Sequence, residues 1–477
     1  MANRVLRSPV VGLVVACFAV TAVMCRSSKV DEKPPMASGG GNGGDSLTTG
    51  GAGGTDGLGG ASNGGGTVAG VGGTPGTAGA GGMPSSVGGD GGDGGDGGEP
   101  VLLPKDYWLY VGGLVSGIQG WKFDAMSGAV TDGPGVGYAD GIIPPPPPVP
   151  PPVPLPYVEP TFRPMYLAAR PDGRNLYASD QAPLGRLAAL SITPGTGVLV
   201  ALSQVPSGGA QSVHTAVHPG GNWVFVANYD LPGNLKVFPL LPNGALGTPT
   251  DDEITGPGAH QCAISPDGKH VYLPTRSLAY IAQYSFDDQT GQLTPLVPAT
   301  VAAEDPRHLA FNRDGTRAYL VNEMQIPLLD AGVPLAGSET RATNVAVYSV
   351  ANGNLTEIQK VVLDPDERGG GAIRVSPDGK FLYVSGRFSQ TIYSLAIDPV
   401  DGKLAPAGEF NGDGLIDTPR DFIIDPLGNH LLVASADLSQ LVILKIDKAT
   451  GQLATTGAPI PAPRYTGAVL LVPQTAP

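Results

Sequence analysis

The chain has 477 residues, among them 72 Gly and 48 Pro, and a net charge of −14. An acidic chain with 15% charged residues and no basic run offers no cationic face for phosphate, which excludes a nucleic-acid partner, and leaves too few charges for long solvated helices or coiled coils. The three cysteines fall at 17, 25 and 262, so the part that can fold holds one thiol and no internal disulfide, and no Cys/His set has zinc spacing.

The first element is a targeting segment over 1–26. Arg4 and Arg7 precede a mostly apolar run over 9–24, the pattern of an export signal. The run is barely long enough for an uncleaved membrane anchor. Val14-Val15-Ala16-Cys17 and Ala22-Val23-Met24-Cys25 each resemble a bacterial lipobox, so Cys17 or Cys25 is the candidate for lipidation. Residues 27–104 follow as a tether. Positions 39–98 hold 30 of the 72 Gly and no aromatic residue, too little apolar surface to offset chain entropy, so this tract is expected to be disordered.

From 105 onward the sequence repeats. The turns Pro171-Asp172-Gly173, Pro219-Gly220-Gly221, Pro266-Asp267-Gly268, Arg313-Asp314-Gly315, Pro377-Asp378-Gly379 and Pro426-Leu427-Gly428 are spaced 48, 47, 47, 64 and 49 residues apart. Each turn sits between β-rich runs such as Cys262-Ala263-Ile264-Ser265 and Val271-Tyr272-Leu273. A third run and a short fourth run close the module. Four strands in 40–50 residues make a propeller blade. The period predicts an all-β, seven-bladed β-propeller over 105–477. Its split blade takes one strand from Ala468-Val469-Leu470-Leu471-Val472 and the next from Tyr107-Trp108-Leu109-Tyr110-Val111.

The repeat allows positions to be compared between blades. Six residues before each turn stand Met165, Val213, His260, Arg307, Gly371, Arg420 and Gly467. Ten after it stand Gln181, Tyr229, Arg276, Glu323, Arg387 and Ala436. In an antiparallel hairpin the two sets share one end of the blade, which places His260, Arg276, Arg307, Glu323, Arg387 and Arg420 on one face near the axis. Arginine offers fixed donors for a carboxylate or a developing oxyanion, and His or Glu can act as general base. Each residue also has a plainer reading. Glu323 can be a structural bridge to Arg307, Arg420 can bind blade-end carbonyls, and His260 alone can be structural. His214, His218, His270, His308 and His430 show no shared register and read as structural or surface residues.

These residues resemble the seven-bladed propeller lactonases, a family that includes 6-phosphogluconolactonase and carboxymuconate cyclase. The resemblance lies in His260-Gln261 followed by Ile264-Ser265-Pro266-Asp267-Gly268, in Pro306-Arg307-His308-Leu309-Ala310-Phe311, in Tyr319-Leu320-Val321-Asn322-Glu323, in Val226-Ala227-Asn228-Tyr229, and in Ile373 to Gly379 leading to Arg387. It implies catalytic roles for His260, Arg307, Glu323 and Arg387, while Arg276, Arg420 and Tyr229, from the blade register, are expected to bind substrate. It also implies a small lactone or anionic carbohydrate-like ligand and no metal or other cofactor. Leu273-Pro274-Thr275-Arg276 departs from the family, which usually carries acids there. The expected protein is an exported, monomeric lactonase of a bacterium, lipid-anchored or secreted. The alternatives are a lactonising cyclase and a non-catalytic, surface-tethered binding propeller.

Two insertions interrupt the period, the Pro-rich 143–156 and 325–341. Loop topology predicts both above the charged face as a wall and a flap. Asn411-Gly412-Asp413-Gly414-Leu415-Ile416-Asp417 looks like half of a calcium loop, but lacks the bidentate Glu and reads as an inter-blade turn.

Overall fold

The computed structural model describes residues 103–114, 117–132, 162–324, 329–330, 333–334, 341–412 and 414–474. The export segment, the Gly-rich tether, the Pro-rich insertion and most of 325–341 lie outside the described residues. Of the second insertion only the short pair Leu329–Asp330 and Val333–Pro334 is described.

The described chain forms seven antiparallel sheets in ring order. Blade 1 comprises Asp106–Gly113, Gly117–Asp124 and Val130–Asp132. Blade 2 runs from Pro164–Ala169 to Leu199–Pro206 and blade 3 from Ser212–Val217 to Asp251–Ile254. Blade 4 runs from Ala263–Ile264 to Gln292–Ala302 and blade 5 from Pro306–Phe311 to Asn354–Val362. Blade 6 runs from Gly370–Val375 to Leu404–Asn411, and blade 7 from Pro419–Ile424 through an outer edge broken into Leu453–Thr455 and Ile460–Pro461. The C-terminal strand Thr466–Pro473 completes blade 1 as its innermost strand, pairing Tyr107 with Pro473 and Leu109 with Leu471. Closure leaves no open end to the ring, and the predicted split blade is the one observed.

Each blade is buried on both faces, which is why its strands read as continuous apolar runs. In the second strand of blade 5, Tyr319 and Val321 pack with Ile373, Leu382 and Val384 of blade 6. The alternate residues Ala318 and Leu320 pack with Tyr272 and Ile281 of blade 4. The period-2 side-chain alternation of a strand therefore feeds two interfaces at once.

The repeat also staples neighbours together. Tyr319 OH donates to the carbonyl of Gly402 in blade 6 at 3.1 Å, Tyr272 OH to Gly353 at 2.7 Å, Tyr383 OH to Gly451 at 3.1 Å, Tyr177 OH to Gly244 at 3.0 Å and Tyr110 OH to Gly197 at 2.6 Å. The accepting glycines turn at positive φ, 70° at Gly197 and 80° at Gly353, which a side chain rarely adopts.

Candidate active site

Every innermost strand begins with an irregularity, and that irregularity builds the site. In blade 5, Pro306 pairs with Asn322 and His308 with Val321, so Arg307 has no partner across the hairpin. The same surplus residue falls at Met165, Val213 and Arg420, at Gly467, and between Gly370 and Ile373. In blade 4 the pairs Ala259 with Thr275 and Ala263 with Tyr272 leave His260 to Cys262 opposite two residues. A β-bulge re-aims its side chain. The residue two before the bulge is left-handed at Gln211 (φ 53°), Gly258 (99°), Asp305 (56°), Thr418 (47°) and Tyr465 (58°). The bulged positions are the seven compared in the sequence repeat, so one backbone device presents Arg307, Arg420 and His260 at the same end of the ring.

Glu323 is the centre of the cluster. It lies just past the second strand of blade 5 and is 1% exposed. Its backbone N–H donates to Asp305 O at 2.9 Å, and its own carbonyl accepts from Thr343 Oγ1 at 2.9 Å. Glu323 Oε1 accepts a hydrogen bond from Arg387 Nη2. Oε2 lies 2.8 Å from Arg276 Nη1 and 3.0 Å from Arg307 Nε, in ion-pair range but off the hydrogen-bonding direction. Arg387 is steered by a further bond, Nε to Gly369 O at 3.1 Å.

Electrostatics separates these guanidiniums. Burial, then Arg420 and Arg276, push Arg307 well below its ordinary value, and burial with Arg307 and Arg420 does the same to Arg387. Burial also works against Arg276, but Asp305 and then Tyr229 hold it above the usual range. Arg307 and Arg387 are therefore cations crowded by like charge, a setting that favours an added anion.

His260 sits beside them, 5% exposed. Burial, then Arg307, Arg276 and Arg420, hold it well below 6.5, so it is neutral at pH 7. Its Nδ1 is buried with no hydrogen-bond partner. Tyr229 stands edge-on to it at 5.8 Å between ring centroids. Arg420 reaches Met165 Sδ at 3.6 Å. The structure thus brings together all seven residues singled out in the sequence, and Glu323 makes both the bridge to Arg307 and the contacts to two further arginines.

Sequence reasoning missed three groups. Asp305 is 2% exposed and binds Arg276 through two hydrogen bonds, Nε to Oδ1 at 2.8 Å and Nη2 to Oδ2 at 3.1 Å. It supplies from blade 5 the acid that the 273–276 stretch lacks. Its signal was its place two residues before a bulge. His308 and His214, read as lacking a shared register, do share one. Each follows its bulge by one residue and points to the axis. His308 stands 5.1 Å from His260 and 5.8 Å from His214, while Arg307 Nη1 and His308 Nδ1 are 3.5 Å apart. Deeper along the axis Arg374 Nη2 donates to Tyr166 OH at 3.0 Å and to Asp421 Oδ1 at 2.9 Å. His218 and His270 are structural as expected, His218 Nε2 lying 3.0 Å from Gly268 O. Among the described residues no group of three His, Cys, Asp or Glu is placed to hold a metal, and Leu415 N–H donates to Gly412 O at 2.7 Å.

A seven-bladed propeller with a buried arginine–glutamate–histidine cluster at one mouth of its axis belongs to a recognisable class. Residues 155–470 match the family model described as lactonase, 7-bladed beta-propeller, and the chain belongs to that family. It is 27% identical over 314 residues to a 6-phosphogluconolactonase of Bacillus subtilis, covering 63% of this chain and 85% of that one. It is 28% identical over 295 residues to a 6-phosphogluconolactonase of Cronobacter sakazakii, covering 60% and 81%. The structure of a periplasmic gluconolactonase of Pseudomonas aeruginosa superposes with a TM-score of 0.63 at 26% identity, covering 78% of this chain and all of that one.

Proposed function

We propose that the chain is an exported lactonase of the 6-phosphogluconolactonase type, with the catalytic propeller in 105–477 behind a targeting segment (1–26) and a tether (27–104). The observation that carries this reading is the convergence of a neutral His260, whose buried Nδ1 has no partner among the described residues, with Arg307 and Arg387 around Glu323. His260 takes a proton from water as its oxygen attacks the lactone carbonyl. Arg307 and Arg387 hold the oxyanion that forms. When the tetrahedral intermediate collapses, the ring C–O bond breaks and the ring oxygen takes the proton from His260, giving a hydroxy acid. Glu323, held by three guanidiniums, fixes the donors. Arg276, Arg420 and Tyr229 line the substrate. The pit suits a small lactone or anionic carbohydrate-like ligand, and the chain works as a monomer. Export rests on the basic and apolar pattern of 1–26, and lipid anchoring on Cys17 or Cys25.

The test is turnover of a panel of aldonolactones and phosphorylated aldonolactones by the full chain, with Arg307→Met and His260→Gln each losing at least 100-fold. The neutralised Glu323 favours a second reading, a binding propeller without turnover. Tight binding of hydroxy acids with no hydrolysis in the panel would establish that instead. Fractionation of cells carrying Cys17→Ser or Cys25→Ser decides the anchor.

A further inference from the structure

The loops that carry the charged cluster also carry an apolar ring outside it. Gln181, Tyr229, Arg276, Arg387 and Ala436 end the second strands of five blades. Each is followed within three positions by an exposed apolar residue: Leu184 (84% exposed), Leu231 (65%), Leu278 (44%), Phe388 (59%) and Leu438 (42%). A chain advances at most about 3.6 Å per residue, so each lies within roughly 11 Å of its inner neighbour along the backbone. Single exposed apolar residues need no explanation, but their recurrence in the same loop of five blades does.

On blades 3 and 4 the ring is contiguous. Ile254, 71% exposed, ends the outer strand of blade 3. Gly256 N–H donates to Gly233 O at 3.0 Å, and Tyr280 OH donates to Thr255 O. Leu278 covers Gly256 so closely that a Cβ there would lie 2.7 Å from Leu278 Cδ1. The loops that carry Leu231, Ile254 and Leu278 therefore meet where blades 3 and 4 adjoin, and Leu231 follows by two residues Tyr229, whose ring edges His260. Across the pit Phe388 covers Gly369, the residue whose carbonyl binds Arg387 Nε.

We infer that this site takes an amphiphilic anion, with its carboxylate or developing oxyanion at Arg307 and Arg387 and an alkyl tail of several carbons on the Leu231–Ile254–Leu278 arc. The inference rests on the lactonase reading for its chemistry, and makes the substrate class an alkyl-substituted lactone. Among the described residues the cluster holds Arg276, Arg307, Arg387 and Arg420 beside Asp305 and Glu323, and forked guanidinium donors suit a carboxylate head. The arc is flanked by Asp230, Asp251, Asp252 and Glu253, which repel an anionic lipid surface but leave room for a single tail.

The experiment is calorimetric titration of the full chain with straight-chain carboxylates from acetate to decanoate, beside hydrolysis of γ-lactones with lengthening alkyl substituents. A methylene taken fully out of water is worth about fourfold in affinity, and a half-covered one about twofold. Affinity should rise by about twofold or more per methylene beyond butanoate. The triple variant Leu231→Ser, Ile254→Ser, Leu278→Ser, all surface positions, should flatten that slope. Affinity independent of chain length overturns the inference, as does a slope unchanged in the triple variant. Retention on phosphatidylcholine vesicles, lost in the triple variant, with no dependence on carboxylate length, overturns it in favour of a bilayer. Turnover of polar aldonolactones without any chain-length effect leaves the lactonase reading standing and sinks the tail site. Chain-dependent binding with no lactone turned over does the reverse.

Discussion

Arg276 and Asp305 reach each other from adjacent blades and are joined by two parallel hydrogen bonds, at 2.8 and 3.1 Å. The fork leaves Arg276 Nη1 in ion-pair range of Glu323 Oε2, 2.8 Å away. Asp305 thus sets Arg276, and Arg276, Arg307 and Arg387 set Glu323. The chain of charges is closed by the backbone, because Glu323 N–H donates to Asp305 O. On the proposed mechanism this buried carboxylate serves geometry and His260 is the base.

Asp305→Asn keeps the shape of the fork and removes its charge. Removing one partner from a buried pair typically costs about 3 kcal/mol or more, and Arg276 would then swing away from Glu323. Urea denaturation should show that loss, and lactone turnover should fall about tenfold by displacement of Glu323. Wild-type values in both measurements would mean that the clamp has no role.

Glu323→Gln strips the shared countercharge from three guanidiniums. The folded ring should survive, since Glu323 belongs to none of the apolar cores between blades, but with a lowered melting temperature. Turnover should drop at least 100-fold because Arg307 and Arg387 lose their alignment. Retained turnover would restrict Glu323 to a structural bridge.

The three axial imidazoles give a pH dependence with a definite sign. Burial first, and neighbouring arginines second, hold His214, His260 and His308 well below 6.5. Above pH 6.5 the imidazoles are neutral in both folded and unfolded chains and stability is complete. Below it the unfolded chain takes up protons that the folded chain refuses. Stability should therefore fall as pH drops below about 6.5, by up to about 1.4 kcal/mol per pH unit for each imidazole. Urea midpoints at pH 7, 6 and 5 test this, and His214→Asn should shallow the slope. With His260 as base, turnover should stay flat from pH 7 through 6.5 and decline only further down. A turnover midpoint at or above 6.5 would remove His260 from that role.

The blade staple is separable from the chemistry. Tyr319→Phe removes the hydroxyl from Gly402 O and leaves the ring in its packing between blades 5 and 6. A buried carbonyl left without its donor costs about 1–2 kcal/mol. Denaturation should show that loss with turnover unchanged. An equal loss in activity would tie the staple to the site, which lies at the other end of the blade.

Blade number, ring closure and the convergence of the seven candidate residues were legible in the sequence for one physical reason. A 47-residue period puts equivalent residues at equivalent heights, so Arg307 and Arg420 could be aligned without coordinates. What the period did not reveal was pairing between blades. Asp305 stands outside the compared positions, yet its left-handed backbone turns it towards Arg276. His214 and His308 fall one residue after the bulge, and a bulge is invisible in a pattern that counts residues from a turn. The extra residue puts two consecutive side chains, such as Arg307 and His308, near the axis where regular alternation would allow one.

The bulge in blade 6 shows what that device demands of a residue. Its surplus position is Gly371, where Met165, Val213, His260, Arg307 and Arg420 stand in other blades. A Cβ at Gly371 would meet Ser385 Oγ at 2.4 Å, Pro419 O at 3.1 Å and Arg387 Cγ at 3.4 Å. The empty volume is therefore what lets Arg387 cross from the second strand to Glu323. Ser385 cannot simply yield, because its hydroxyl accepts from Ala372 N–H at 2.8 Å within the same bulge. Gly371→Val should push Arg387 off Glu323 and lower kcat about tenfold or more, with a stability loss of about 1–3 kcal/mol from overpacking. Gly371→Ala should give a smaller effect of the same sign. Arg387→Lys in the wild-type backbone should mimic the kinetic loss without the overpacking, since lysine cannot reproduce the forked contact to Glu323 and Gly369. If Gly371→Val loses stability while kcat stays at the wild-type value, Arg387 does not act through the position it occupies here.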